Sequence, residues 1–262
     1  MATAATYPPV QPGPDLAVDA VYVLSVKTYT DRIAHITREL GRHGMGFELI
    51  LDFDADEIDL DDVGRYFVAS ATPSYRHMSL TLKHMETWRR AVAHRHRRIL
   101  VFEDDVVLDP LFRVRMAEIS RAADALLPGW LIFLGGADTK VPDSFFLDPE
   151  PLVPLANATT EAYLTDLEAC RRRLAWCEAN KIAESADHLI ARIDRDMNIG
   201  QYWPHEALVE QGSVTGLFKS VLDASRMKHS DFYNVLRHRW HKWRRRTLRK
   251  HWVLATRPWR RG

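Results

Sequence analysis

Cysteine is almost absent from this sequence: Cys170 and Cys177 are the only two in 262 residues. Seven apart in a stretch with helical spacing, they share one face of a helix, too far apart to bridge without breaking it. No disulfide framework follows, and the thiols suit a reducing compartment. Long hydrophobic runs are missing too. No stretch approaches the roughly 18 apolar residues that span a bilayer. The opening segment Met1 to Pro14 is rich in Ala and Pro, and lacks both the basic start and the apolar stretch of a secretory signal. The sequon Asn157-Ala158-Thr159 is therefore expected to stay unmodified, and the chain reads as cytoplasmic. No internal repeat appears. What is present is ordinary for a globular protein, 46% hydrophobic and 27% charged residues, which excludes wholesale disorder.

The net charge of +1 conceals an asymmetry. From Arg226 to Gly262 there are 13 Lys or Arg against one acid, Asp231, a local net of +12, so the preceding 225 residues carry −11. The reading is a flexible leader over 1–18 with four prolines, one domain over 19–225, and a basic, Trp-rich helical tail over 226–262.

Within the domain, Ala20 to Val26 is an apolar run fit for a buried strand. Thr30 to Gly44 has helical spacing (Ile33, Ile36, Leu40) and closes on glycines. Phe47 to Phe53 reads as a second strand, followed by an acidic loop from Asp54 to Asp62. Met78 to Ala93 is predicted helical, Arg98 to Phe102 a third strand, Pro110 to Leu127 a helix, and Trp130 to Leu134 a fourth strand ending at Gly135-Gly136. Ala137 to Pro154 reads as loop, Glu161 to Asn180 and Ala186 to Asp196 as helices, and Tyr202 to Gly216 as irregular. Strands alternating with helices predict an α/β fold with a mainly parallel sheet, whose ligands bind beyond the carboxyl ends of the strands.

The tripeptide Glu103-Asp104-Asp105 falls at such an end, aimed by Ile99-Leu100-Val101-Phe102. Carboxylates two residues apart can converge on one hard cation, which offsets the charge of a phosphorylated substrate. The competing reading is a solvated acidic loop that merely ends a strand.

With its neighbours in view, the acidic turn resembles the most recognisable piece of glycosyltransferase family 25, which includes bacterial lipopolysaccharide glycosyltransferases and collagen galactosyltransferases. The resemblance runs through Val23-Leu24-Ser25-Val26-Lys27 with Asp31-Arg32, then Ser79-Leu80-Thr81-Leu82-Lys83-His84 with Trp88. It continues through Ile99 to Leu108 with Phe112, and Trp130-Leu131-Ile132-Phe133-Leu134-Gly135. Thr160 to Leu164 looks like the family's Ala-Tyr helix start, Ala186-Asp187-His188-Leu189 like its later acidic site, and Pro204 through Gln211 to Ser213 like its closing segment. Ser25, Lys27, Lys83 and Leu131 depart from the family pattern, which marks a divergent member.

The resemblance implies a single Rossmann-like GT-A domain binding a UDP-sugar with a divalent metal, Mn²⁺ or Mg²⁺. It also implies inverting transfer of a hexose, galactose or glucose, to a glycan or lipid-linked acceptor. Asp105 is then the expected metal ligand, with Asp104 as an alternative and His205 as a third. Glu103 faces the ribose or a metal-bound water. Leu24, Ser25, Lys27 and Arg32 stand where base and phosphates lie, the two cations as phosphate partners or as plain surface charges. His84 is either a donor contact or an internal hydrogen bond, and Trp88 a core residue or a sugar platform. Asp187 is the expected general base, or simply a helix cap, with Glu161 and His188 behind it. Gln211 and Ser213 are expected to close over the substrates. The alternative is a catalytically silent module that binds the nucleotide sugar.

The tail holds Trp240, Trp243, Trp252 and Trp259. Leu236, Trp240, Trp243 and Thr247 step along one helical stripe with Arg and Lys around it, a pattern suited to an anionic membrane surface. A helix packed on the acidic body is the second reading. Nucleic acid is a third, which the acidic body argues against.

Overall fold

In the computed structural model the described residues are 16–69, 73–135, 150–156, 159–212, 218, 240 and 243–256. The first strand, β1 (Ala20–Leu24), leads into α1 (Thr30–Arg42), then β2 (Glu48–Ile50), α2 (Leu60–Tyr66) and α3 (Tyr75–Ala93). Next come β3 (Arg98–Glu103), β4 (Val106–Leu108), α4 (Phe112–Ala123), β5 (Trp130–Phe133) and β6 (Leu152–Pro154). The chain continues through β7 (Ala162–Asp166), α5 (Leu167–Ala179), α6 (Ala186–Asp196), β8 (Gly200–Pro204) and β9 (Val209–Gln211). A π-helical turn over Arg244–Arg249 runs into α7 (Lys250–Ala255).

Seven strands form one sheet in the order β2-β1-β3-β7-β5-β8-β6, while β4 and β9 pair separately. The expected mainly parallel sheet is a mixed one. β2, β1 and β3 are parallel, as are β5 and β8, but β7 lies antiparallel between β3 and β5, and β6 is antiparallel to β8. The discrepancy comes from β7. Ala162–Asp166 is a fully buried strand where the apolar spacing predicted the start of a helix from Glu161. An apolar run buried on both faces carries no alternation to separate it from a buried helix. Asp166 makes the switch: its carboxylate caps α5 by accepting from Ala169 N at 3.0 Å, and it also accepts from Gly129 N and Trp130 N.

Alternate residues of each central strand face opposite ways. Tyr22, Leu24, Ile99, Val101, Leu131 and Phe133 meet α3, α5 and α6, whereas Val21, Val23, Leu100, Phe102 and Ile132 meet α1 and α4. Both cores exclude water, and each fully buried large side chain contributes about 1.5–3 kcal/mol. Cys170 and Cys177 lie buried and free on α5. Leu16 and Val18 are buried as well, and Ser120 Oγ donates to the Leu16 carbonyl, so packing begins before the expected domain start at Asp19. Tyr202 to Gly216, expected irregular, contains β8 and β9, and the expected loop to Pro154 ends in β6. Among the described residues no helix is long and apolar enough to cross a membrane.

Candidate functional site

Three loops leave the carboxyl ends of β1, β2 and β3 on the same edge of the sheet, and α3 and α6 start beside them. They enclose a cleft of about 540 Å³, lined by Ser25, Arg32, Lys83, Glu103, Asp105 and Asp187 among others. The topology sets this edge, because parallel β-α connections bring successive carboxyl ends together.

The acidic turn is divided in its roles. Asp104 is held by its neighbours in the cleft wall: Ser25 Oγ donates to its Oδ2 at 2.6 Å, and Arg32 Nη1 lies 2.9 Å from its Oδ1. With both oxygens engaged and 5% of its surface exposed, Asp104 is a structural clamp between β1, α1 and β3. As the alternative metal ligand, Asp104 lines the cleft but has both oxygens already engaged. Arg32 also lies 3.9 Å from Asp105 Oδ2 and packs between the Tyr29 and Phe218 rings. It lines the cleft, with its charge already turned toward these two carboxylates.

Glu103 and Asp105 flank Asp104 in the cleft wall. Burial first, and then the neighbouring Asp105 charge, push the Glu103 carboxyl up to about 8, against the hydrogen bond that Thr160 Oγ1 donates at 2.8 Å. A carboxyl whose proton affinity is raised by a neighbouring carboxylate marks a place that a cation would suit. A hard divalent ion held by one or two carboxylates and completed by diphosphate and water fits this donor set. Among the described residues, no three His, Cys, Asp or Glu side chains converge as a cation shell. His205 is not in the cleft lining; it is half-buried just beyond β8, three strands from β3, and its Nε2 lies 2.8 Å from the Glu150 carbonyl.

Pairing of β4 with β9 sets Gln211 opposite Val106, and Gly212 N donates to the Asp105 carbonyl at 2.6 Å. Gln211 thereby lines the cleft next to the turn. Ser213 lies outside the described residues.

Asp187 stands at the start of α6 in the cleft wall. Burial raises its carboxyl, but hydrogen bonds from Ser185 Oγ at 2.5 Å and His188 N at 2.9 Å outweigh it and leave the group below its usual value. It is therefore ionised at neutral pH. The other two expected bases lie elsewhere. His188 is exposed, outside the cleft lining. Glu161 precedes a strand rather than opening a helix: its carbonyl accepts from Glu103 N, and its side chain lies against Gly135.

Two further expectations are corrected. Lys27 is exposed and ion-paired with Glu57, so it is a surface charge outside the lining. His84 is 1% exposed in the core, with Nδ1 3.0 Å from the Tyr163 hydroxyl, which also accepts from Trp88 Nε1 at 3.2 Å. Burial, reinforced by the Arg173 charge, pushes His84 down to about 3 and keeps it neutral. Trp88 is core.

Lining residues that the sequence reading missed include Arg76, His77, Ser79, Thr160 and Ser185. Arg76 and His77 occupy the first turn of α3, which begins at Tyr75 rather than Met78. Pro73-Ser74 is the readable sign, because Ser favours the position before a helix.

Residues 18–136 match the family model described as glycosyltransferase family 25 (LPS biosynthesis protein). A glycosyltransferase 25 family member of Drosophila pseudoobscura pseudoobscura is 23% identical over 195 residues, covering 70% of this chain and 31% of that protein. One from Anopheles gambiae is 23% identical, covering 71% and 34%. The probable inactive glycosyltransferase 25 family member 3 of Rattus norvegicus is 24% identical, covering 76% and 37%. The chain thus spans about a third of the length of these curated relatives. Among solved structures, mouse xyloside xylosyltransferase 1 in its apo form aligns with TM-score 0.37 and 15% identity, over 68% of this chain and 81% of that one. The matched region runs from β1 through the acidic turn to β5, and over it the chain is similar to glycosyltransferase family 25.

Proposed function

We propose that this chain transfers a hexose, galactose or glucose, from a UDP-sugar to a glycan or lipid-linked acceptor on a GT-A-type domain. The observation that carries the reading is the pair Glu103 and Asp105, mutually repelling carboxylates in the wall of a cleft at the carboxyl ends of β1 and β3. They would hold Mn²⁺ or Mg²⁺, which as a Lewis acid offsets the charge of the departing diphosphate. Arg32, fixed by Asp104, contributes positive charge on the same side. Asp187 takes the acceptor hydroxyl proton as the acceptor oxygen bonds to the anomeric carbon and the bond from that carbon to the diphosphate breaks. Such a single displacement inverts the centre.

The test is transfer or donor hydrolysis with a UDP-sugar and Mn²⁺. Asp105→Ala should abolish turnover while the fold persists, and Asp187→Asn should lower turnover with UDP affinity intact. Absence of UDP binding in the presence of Mn²⁺ would sink the reading. One observation favours the alternative, a silent nucleotide-sugar-binding module: two hydrogen bonds already weaken Asp187 as a base. Binding without turnover across a panel of donors and acceptors would decide for it.

The tail extends the same reading to location. Trp240, Trp243, Leu248 and Trp252 are about half exposed, and the Trp240 and Trp243 ring centroids lie 5.2 Å apart. Exposed tryptophan among arginines suits an anionic headgroup layer, which attracts each basic residue by about 1 kcal/mol. The tail would hold the enzyme at the inner face of the cell membrane, beside a lipid-linked acceptor. Co-sedimentation with phosphatidylserine vesicles but not with phosphatidylcholine vesicles is expected, and Trp240→Ala/Trp243→Ala should weaken it.

A further inference from the structure

Lys83 is an unusual occupant of the cleft wall. It sits on the apolar helix α3, is 3% exposed, and still lines the cleft. Its Nζ donates to the Asp52 carbonyl at 2.7 Å and to Asp54 Oδ1 at 2.8 Å. Asp54 is itself 3% exposed, and its second oxygen accepts from Lys27 N at 2.9 Å. One buried ion pair therefore ties α3 to the loops that follow β1 and β2. Between the two aspartates, Phe53 holds a left-handed backbone with φ 64°. A bulky residue adopts that conformation only when its surroundings impose it. Here the turn presents the Asp52 carbonyl and the Asp54 carboxylate to the same ammonium.

An ammonium has three N–H donors and no acceptor. Two are used, and the third has no acceptor among the described residues. Buried donors are rarely left so, because each one unsatisfied carries a desolvation cost. The site has a definite place relative to the acidic turn. In the sheet order β2-β1-β3, the carboxyl ends of β2 and β3 stand two strand spacings apart, about 10 Å. That is roughly the reach from the phosphates of a nucleoside diphosphate to its base.

We infer that Lys83 reads the base of the donor nucleotide, its third N–H donating to the carbonyl at the far edge of a uracil. This rests on the nucleotide-sugar reading above and deepens it by naming the residue that selects the nucleotide. Uracil and cytosine differ at that edge, where one presents a carbonyl oxygen and the other an amino group. A donor-only ammonium accepts the first and meets the second with two donors face to face.

Titration calorimetry of the full chain with UDP and CDP in Mn²⁺ tests this. The wild type should bind UDP about 10- to 100-fold more tightly than CDP, the range expected for one hydrogen bond from a charged donor. Lys83→Ser alone would strand the Asp54 carboxylate, so the informative variant is Lys83→Met/Asp54→Asn, which removes both charges at similar volume. It should fold and bind the two nucleotides within about threefold of each other, mainly through loss of UDP affinity. A wild type that does not prefer UDP, or a folded double variant that keeps the wild-type ratio, overturns the assignment. A wild type that binds neither nucleotide overturns the donor reading itself, and this inference with it.

Discussion

Gly212 donates its backbone N–H to the Asp105 carbonyl at 2.6 Å, and a Cβ on Gly212 would collide with that same oxygen. The end of β9 thus lies directly on the acidic turn, and only glycine lets the two backbones approach so closely. Gly212→Ala should push the turn outward. The expected loss is about 1–3 kcal/mol of stability, the usual cost of overpacking, with weaker UDP binding in Mn²⁺. Thermal denaturation and a nucleotide titration check both, and unchanged values in each would show that the contact is dispensable.

Arg32→Met should destabilise the fold by about 3 kcal/mol. Removing the guanidinium leaves Asp104 buried without its cation, and breaking such pairs usually costs about 3–5 kcal/mol. The lower end applies because the Arg32 side chain keeps 17% of its surface in solvent. Arg32→Lys should recover part of the loss. Urea denaturation of the three proteins gives the comparison.

Arg173 and Asp194 form a second buried pair, bidentate at 2.8 and 2.9 Å, with Thr165 and Gln201 completing the set. It joins α5 to α6 on the face of the sheet that carries α3, outside the cleft lining. Arg173→Met should lower the melting temperature by about 10 °C. Arg173→Met/Asp194→Leu should restore most of that, since a well-packed apolar replacement strands no charge. Calorimetric scans of single and double variants separate the two outcomes.

The acidic pair should make cation binding rise with pH. The folded Glu103 carboxyl titrates near 8, above its ordinary 4.5. Between those values the folded cation-free protein holds a proton that the unfolded chain has released. That contribution to stability is present below about pH 4.5 and is lost as pH rises toward 8. Mn²⁺ competes with the same proton, so its affinity should climb through this window and level off above it. Titrations at several pH values should show the climb, and Glu103→Gln should flatten it.

His84 has the opposite sign. Its folded value, about 3, lies below the ordinary 6.5, so its contribution is present above pH 6.5 and lost as pH falls toward 3. NMR titration of the His84 ring should find it neutral at pH 5. A protonated ring there would contradict the buried arrangement with Tyr163.

The residues alone made part of this protein legible. Apolar patterning located β1, α1, β3, α4, β5 and α6 to within a few residues, because the helices lay one periodic face on a core and the strands are short apolar runs buried on both faces. The acid turn after Ile99-Leu100-Val101-Phe102 pointed to the cleft, and its neighbours in order carried the resemblance to the family. Tertiary structure decided what spacing does not carry. Ala162–Asp166 became a strand because it fills the gap between β3 and β5, where an apolar segment finds ladder partners on both sides. Asp104 and Asp105 are adjacent and chemically identical, yet Ser25 and Arg32 engage both oxygens of the first, while Arg32 stands 3.9 Å from the second. Glu161, His188 and His205 had the right chemistry in the wrong places. Lys83 and Asp54 stand 29 positions apart, and their pairing exists only because α3 packs across the end of β2. Local sequence encodes the period of an element and the chemistry of a side chain; which side chains meet is settled by the fold that buries them.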